Sequence, residues 1–243
     1  MYRIRLQLPK RHLADYHHLD LLHDALVNAW TEAGAKTNQI LGVDAKPWTF
    51  AALGGRRNGR IGYTHTLVIS TPDPQLTMFL QRFSPEWVRY ARANTQELVD
   101  FATADITIEP DPIPPGNSVL SCLMLSPLAI SSRHGDGRRW HRHLGELDLA
   151  AAINARLSRI ANREVHLQAQ PDALYIRANP NHSVLVSLKR FPNGRHAFVI
   201  GMQAPIVLMG NEDDLRLAWY AGIGEKTRNG FGCLGLLERG VGR

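Results

Sequence analysis

The hydrophobic pattern of the first half of the chain predicts strands and helices in the order of a ferredoxin-like unit. Alternating apolar residues predict a strand over residues 2–8, and apolar residues at helical spacing predict a helix over residues 17–33. The remaining elements are predicted as strands at 48–53, 60–71 and 103–109 and a helix at 74–83, with 84–102 helical in part. The resulting β-α-β-β-α-β order is typical of that fold.

The second half repeats this order. Its predicted strands cover 118–131, 165–176, 182–189, 197–209 and 231–237, and its predicted helices cover 147–160 and 212–220. One strand exceeds the ferredoxin-like pattern, which an added hairpin explains. The predicted fold class is therefore α+β, with two tandem ferredoxin-like units, although the halves show no clear residue-level similarity.

A proline-rich stretch separates the two predicted units. Residues 110–115 contain four prolines, which cannot continue a helix or a central strand. We therefore expect an N-terminal domain over 1–110, a linker over 111–117 and a C-terminal domain over 118–243.

A glycine-rich loop over residues 222–235 follows the last predicted helix. Gly222, Gly224, Gly230 and Gly232 allow close approach of the backbone, and Lys226 and Arg228 lie between them. Backbone N–H groups in such a loop can cradle an anion. The strand-loop-helix order and the Gly-Lys-Ser/Thr ending of a nucleotide-binding P-loop are absent. RNA is thus a better ligand than a nucleotide cofactor, and a simple chain-reversing turn is the alternative.

A basic insertion over residues 131–146 interrupts the second unit. It contains Arg133, Arg138, Arg139 and Arg142 together with Trp140. Arginine pairs with phosphate through two hydrogen bonds, and a tryptophan face can stack on an unpaired base. The three histidines of the insertion lack the cysteines and spacing of common zinc sites. A solvated basic loop is the alternative interpretation.

Composition and charge favour a cytoplasmic protein that binds a polyanion. The formal net charge is +6, and 44% of the residues are hydrophobic. Cys122 and Cys233 are too few for a disulfide framework, and we expect no metal and no cofactor. No signal peptide or run long enough to cross a membrane is visible, so no membrane association is expected.

The chain resembles the RAMP superfamily of CRISPR-associated proteins, and within it the endoribonucleases that process repeat RNA. The resemblance covers nearly the whole chain and is most specific at Gly222-Ile223-Gly224 and Gly230-Phe231-Gly232. Ser126-Pro127-Leu128 and Lys46-Pro47-Trp48-Thr49-Phe50 also match family features. The size and the basic insertion are compatible with a type I or a type IV system.

The resemblance implies a catalytic histidine in the first helix, and His23 occupies the matching position in Leu22-His23-Asp24-Ala25-Leu26. A neutral imidazole could remove a proton from a ribose 2′-hydroxyl, or protonate the leaving oxygen. Tyr16 is a candidate orienting group because tyrosine accompanies histidine in some relatives. His12, His17 and His18 are competitors, and a structural histidine at the edge of the core is the alternative.

The resemblance further implies a metal-independent endoribonuclease that cuts precursor CRISPR RNA beside a stem-loop and leaves a 2′,3′-cyclic phosphate. Its expected partners are repeat RNA, the mature guide RNA and other subunits of an effector complex. Ten cations are predicted to contact RNA: Arg3, Arg5, Lys36, Lys46, Arg133, Arg138, Arg139, Arg142, Lys226 and Arg228. A non-catalytic RAMP subunit that binds guide RNA is the main alternative, and a small-molecule phosphate-binding regulator is the second.

Overall fold

The computed structural model describes residues 1–10, 12–57, 61–91, 98–135 and 137–237. The first half contains β1 (Tyr2–Gln7), β2 (Ala14–Tyr16), α1 (Leu19–Glu32), α2 (Thr37–Ile40), β3 (Thr49–Arg57), β4 (Ile61–Thr71), α3 (Pro74–Leu80) and β5 (Asp105–Ile108). Strands β3, β4, β1 and β5 lie side by side in that order, and all pairs are antiparallel. This arrangement confirms the first ferredoxin-like unit.

The second half builds the same sheet with different insertions. Its elements are β6 (Val119–Met124), β7 (Ser131–His134), β8 (Gly137–Trp140), α4 (Leu149–Ala161), β9 (Gln168–Pro171), α5 (Ala173–Ala178), β10 (Ser183–Arg190), β11 (His196–Met202), β12 (Ile206–Met209), α6 (Glu212–Ala221) and β13 (Leu234–Leu236). The strand order is β13, β6, β12, β9. Both halves therefore have the fold that the pattern predicts.

Three predicted strands are shorter than expected, and each is stopped by a local signal. The strand predicted over 118–131 ends at Met124, just before Ser126 and Pro127. The strand predicted over 165–176 becomes β9 followed by helix α5, because the side chain of Asp172 accepts a hydrogen bond from Tyr175 N and caps that helix. The strand predicted over 197–209 divides into β11 and β12 before and after Pro205.

The segments between the main elements differ from the prediction in several places. The insertion at 131–146 contains the hairpin of β7 and β8, and β10 pairs with β11 as a second separate hairpin. The predicted connection at 54–59 is strand through Arg57, and 58–60 lie outside the described residues. The region 84–102 contains a single 3-10 turn at Pro85–Trp87, and 92–97 also lie outside the described residues. Strand β2 was not predicted.

Helix α1 lies between the first sheet and the second unit. Its apolar face, including Leu22, Leu26 and Trp30, is completely buried in the largest core cluster. The same cluster contains Val186 of β10 and Val199 of β11, so the second hairpin packs on α1. None of the helices in the described part of the chain is long and apolar enough to span a bilayer.

The two sheets pack against each other through small apolar side chains and a few polar bonds. Ala51, Leu53 and Val68 of the first sheet form a buried cluster with Leu125 and Cys233 of the second unit. Buried polar groups also bridge the units: Ser70 Oγ donates to Tyr220 O at 3.0 Å, Thr49 Oγ1 donates to Phe231 O at 3.4 Å, Thr227 Oγ1 donates to Trp48 O at 3.3 Å, and Arg3 Nη2 donates to Leu234 O at 2.6 Å. The units are therefore joined along a buried seam.

The predicted RNA-binding face of β1 is wrong for Arg3, because the second unit covers it. Arg3 is 1% exposed and stacks over the Trp219 ring at 4.1 Å. Its Nε lies 2.6 Å from Glu109, and the partly exposed Arg5 binds the other carboxylate oxygen of Glu109 at 2.7 Å. Alternation correctly placed both arginines on one face, but at Arg3 that face is covered by the second unit.

We expect Glu109 to make the protein sensitive to acid. Burial alone would raise the pKa of Glu109, but the guanidinium groups of Arg3 and Arg5 outweigh burial and hold that pKa below its ordinary value. The resulting stabilisation is present above the unfolded-state pKa and is lost as the pH falls through the folded-state pKa. Urea unfolding from about pH 6 to pH 3 should therefore show a steeper loss of stability for the parent than for Glu109→Gln. Equal slopes would contradict this role.

Candidate nucleic-acid interface

A cleft of about 1400 Å³ opens between the two units. Its walls come from the loop before β3, the β7–β8 hairpin, helix α4 and the glycine-rich loop. Among the described residues, eight cations line it against four carboxylates: Lys46, Arg133, Arg138, Arg156, Arg159, Arg163, Lys226 and Arg228 against Asp44, Asp73, Asp213 and Glu225. The excess of positive charge makes the cleft suitable for a polyanion.

The glycine-rich loop forms one wall because its backbone repeatedly adopts left-handed angles. Gly222, Gly224, Gly230 and Gly232 have φ values of 70°, 73°, 82° and 67°. Several backbone bonds attach the loop to the segment after β6, among them Glu225 N to Ala129 O at 2.7 Å and Gly232 N to Pro127 O at 2.9 Å. The loop is thus a folded wall of the cleft rather than a simple connector.

Lys226 also has a positive φ, 57°, and lines the cleft. A non-glycine residue in this conformation stores strain, which is common where a side chain must be aimed. Among the described residues, no carboxylate lies within ion-pair distance of Lys226. Its neighbour Arg228 donates to Gly42 O at 3.0 Å and therefore also joins the loop to the first unit.

Glu225 connects the loop to the basic hairpin. One carboxylate oxygen accepts from both the backbone N and the Oγ of Ser131 at 2.8 Å, and the other lies 3.4 Å from Arg138 Nη1. Arg133 and Arg138 are direct partners across β7 and β8 and so share one face, which lines the cleft. Arg139 is paired with Ser132 and lies on the opposite face.

Sequence reasoning missed the contribution of helix α4 to the cleft. Arg156 and Arg159 are three residues apart on α4 and share one helical face, Arg163 follows just after the helix ends, and all three line the cleft. Arg163 pairs with Asp214, whereas Arg156 reaches beneath the glycine-rich loop. The helical spacing of these arginines was the available signal, but it is equally typical of a solvated helix face.

Besides Arg3 and Arg5, three predicted RNA-contacting cations lie outside the cleft. Lys36 is exposed immediately before α2, while Arg139 and Arg142 are exposed on and after β8. Lys46 does line the cleft, with its Nζ 3.8 Å from Asp73. The cleft thus contains five of the ten predicted cations: Lys46, Arg133, Arg138, Lys226 and Arg228.

His23 lies on α1, where its ring stacks on the buried Trp48. The two ring centroids are 5.8 Å apart and the planes differ by 12°. The His23 Nδ1 is 3.3 Å from the Asp24 carboxylate, and the side chain is 12% exposed. A proton on Nδ1 directed at Asp24 leaves Nε2 as the nitrogen that can accept one. His23 is not among the residues that line the cleft.

The other candidate acid–base residues are on separate elements. Tyr16 ends β2 and is therefore not on α1, which begins at Leu19, so Tyr16 and His23 do not share a helical face. His18 precedes α1, and His17 and His12 are exposed. No cluster of three or more potential metal ligands occurs among the described residues.

Comparison with solved structures shows that the whole fold is shared with RAMP and Cas6 proteins. A structure characterising a Cas6-related gene from Pyrococcus furiosus matches with a TM-score of 0.68 and 16% identity, over 98% of this chain and 99% of that chain. A RAMP protein described as binding different RNA substrates matches with a TM-score of 0.65 and 16% identity, over 98% and 100%. A Cas6 product complex matches with a TM-score of 0.57 and 15% identity, over 97% and 98%. No curated protein matches the sequence.

A family model also matches the amino-acid sequence of the second unit. The model described as CRISPR associated protein Cas6, C-terminal, matches residues 109–236, which is more than half of the chain and includes the hairpin, helix α4 and the glycine-rich loop. With that match, this chain belongs to the Cas6 family of CRISPR-associated proteins.

Proposed function

We propose that this protein is an endoribonuclease that cleaves precursor CRISPR RNA within its repeats. The observation that carries the proposal is the basic cleft, which a Cas6-family chain forms between its glycine-rich loop, β7–β8 hairpin and helix α4. Its cations would hold the phosphates of one RNA strand and the stem beside it. After cleavage the protein stays on its product and joins a CRISPR effector complex.

The proposed reaction needs no metal. The ribose 2′-hydroxyl attacks the adjacent phosphorus, a new 2′-O–P bond forms, and the P–O5′ bond breaks. The 2′-hydroxyl proton leaves to a base and the 5′ oxygen gains one from an acid, which yields a 2′,3′-cyclic phosphate and a 5′-hydroxyl. His23 acts in one of these transfers through Nε2. Lys46 or Lys226 neutralises charge that develops on the phosphate.

A non-catalytic, guide-RNA-binding role is the second candidate. Two observations favour it: none of the described residues that line the cleft is a histidine, and His23 has Asp24 beside it. Carboxylates repel phosphate, so RNA must approach His23 by the side that Asp24 does not occupy. This role retains the cleft and its affinity for RNA without cleavage.

The deciding experiment is incubation with a repeat RNA in EDTA and analysis of the product ends. We expect cleavage to persist, with a 2′,3′-cyclic phosphate on the upstream product. A control in monovalent salt establishes that the RNA hairpin folds without divalent ions. Activity that disappears in EDTA and returns with magnesium contradicts the metal-independent reaction. Tight binding without any cleavage supports the second candidate.

Arginines on the two faces of the β7–β8 hairpin should have different effects on RNA binding. Replacing Arg133 and Arg138 with Ala should weaken binding and reduce the slope of log K against log salt by about 0.7–0.9 for each phosphate that the variant no longer neutralises. Arg139 and Arg142, replaced together, are the matched control because they remove the same charge outside the cleft. Fluorescence anisotropy across a salt series measures both slopes. Equal slopes for the two double variants would contradict the assignment of the cleft face.

A further inference from the structure

Thr227 of the glycine-rich loop is hydrogen-bonded to Trp48, the residue on which the His23 ring stacks. This residue is 4% exposed. Its Oγ1 accepts a hydrogen bond from Arg156 Nη2 at 2.7 Å and donates to the carbonyl of Trp48 at 3.3 Å. One hydroxyl therefore connects helix α4 of the second unit to the residue just before β3 in the first.

Trp48 is held at several points and supports His23. Its ring is fully buried, and its Nε1 donates to Ile40 O at 3.2 Å. The ring packs against three other rings, with the His23 centroid at 5.8 Å and those of Trp30 and Phe50 each at 6.0 Å. Because the interior around Trp48 is closely packed, a shift of its backbone would be transmitted to the imidazole that stacks on it.

Arg156 binds the start of the loop at residues 221 and 222 and binds it again at Thr227. Besides Thr227, its guanidinium donates to Gly222 O at 2.7 Å and to Ala221 O at 3.4 Å. These carbonyls lie at the C-terminus of α6, where the helix dipole favours a cation. All three acceptors are neutral, and burial lowers the pKa of Arg156 to about 10, so the group is still charged at neutral pH.

We propose that Arg156 and Thr227 are positioning residues that set the shape of the glycine-rich loop and the location of His23 together. Arg156 fixes residues 221 and 222 relative to Thr227, and Thr227 in turn fixes Trp48 beneath the imidazole. RNA held by the loop would then meet an imidazole at a defined distance. The expected effect on cleavage rests on the proposed nuclease function, whereas the expected effect on the position of His23 does not.

The test compares Thr227→Val with Thr227→Ser. Valine has nearly the shape of threonine but lacks the hydroxyl, and serine keeps the hydroxyl. In protein labelled with ¹⁵N-histidine, the His23 imidazole resonances, identified by their loss in His23→Ala, should shift in the valine variant and keep their parental positions in the serine variant. Single-turnover cleavage should fall about 10- to 100-fold for valine, with RNA affinity nearly unchanged. The serine variant should recover most of that rate.

Two arginine variants separate positioning from charge. Arg156→Lys keeps the charge but lacks the planar fork, so it should shift the His23 resonances as Thr227→Val does. Arg159→Ala removes a neighbouring cleft cation that, within the described part of the chain, bonds only to Ala155 O of its own helix, so it should weaken RNA binding and leave those resonances in place. Parental His23 resonances in both Thr227→Val and Arg156→Lys would overturn the inference. If the parent cleaves no RNA, the nuclease proposal fails alone, and the resonance comparison still decides this one.

Discussion

Replacement of His23 with Ala is expected to slow single-turnover cleavage of a repeat RNA by about 10²–10⁴-fold, the usual contribution of general acid–base catalysis. The physical reason is the arrangement around the ring, where Nδ1 faces Asp24 and Nε2 is left to transfer a proton. RNA affinity should change little, since phosphate contacts in the cleft dominate binding. Quench-flow or gel-based single-turnover kinetics, with affinity measured separately, tests both expectations.

Two controls make this result interpretable. His17→Ala removes an exposed histidine just before α1 and should keep the parental rate. An RNA with a 2′-deoxy sugar at the cleavage site should bind normally and resist cleavage by the parent. A His23→Ala protein that cleaves at the parental rate would show that His23 is structural. Joint loss of folding and binding would instead identify His23 as part of the core, through its stacking on Trp48.

The fold was predictable because its signals are local. The alternation in β1, the apolar stripe of α1 and the order of elements in each half predict two ferredoxin-like units, and both sheets have the expected strand order. The predicted strands are too long where the sequence contains residues that stop a strand. Asp172 and Pro205 are such signals, a helix cap and a strand breaker that are visible in the sequence.

The site was less predictable because its parts depend on contacts between distant residues. Alternation placed Arg3 on the correct face of β1, but only the docked second unit, through Leu234 and Trp219, makes that face an interior. In the sequence, Arg156 likewise cannot be distinguished from a solvated arginine on the surface of a helix. Its role depends on Gly222 and Thr227, which are more than sixty residues away along the chain. The glycine pattern, by contrast, was informative because positive φ is a property of single residues.

Gly232→Ala is expected to destabilise the protein by more than about 4 kcal/mol or to prevent folding, which is a loss seen only for severe core defects. An added Cβ would lie 1.8 Å from the carbonyl oxygen of Ile223, and the φ of 67° is itself unfavourable for alanine. Ile223 cannot move away easily because its N–H donates to Gly232 O at 2.9 Å and its side chain is fully buried. Gly194→Ala is the matched control, since Gly194 has a φ of 79° but nothing within 4 Å of the added Cβ. That variant should lose only about 1 kcal/mol, the cost of positive φ alone. Urea unfolding of both variants measures the difference, and similar losses at the two positions would mean that the packing of the glycine-rich loop against Ile223 contributes little to stability.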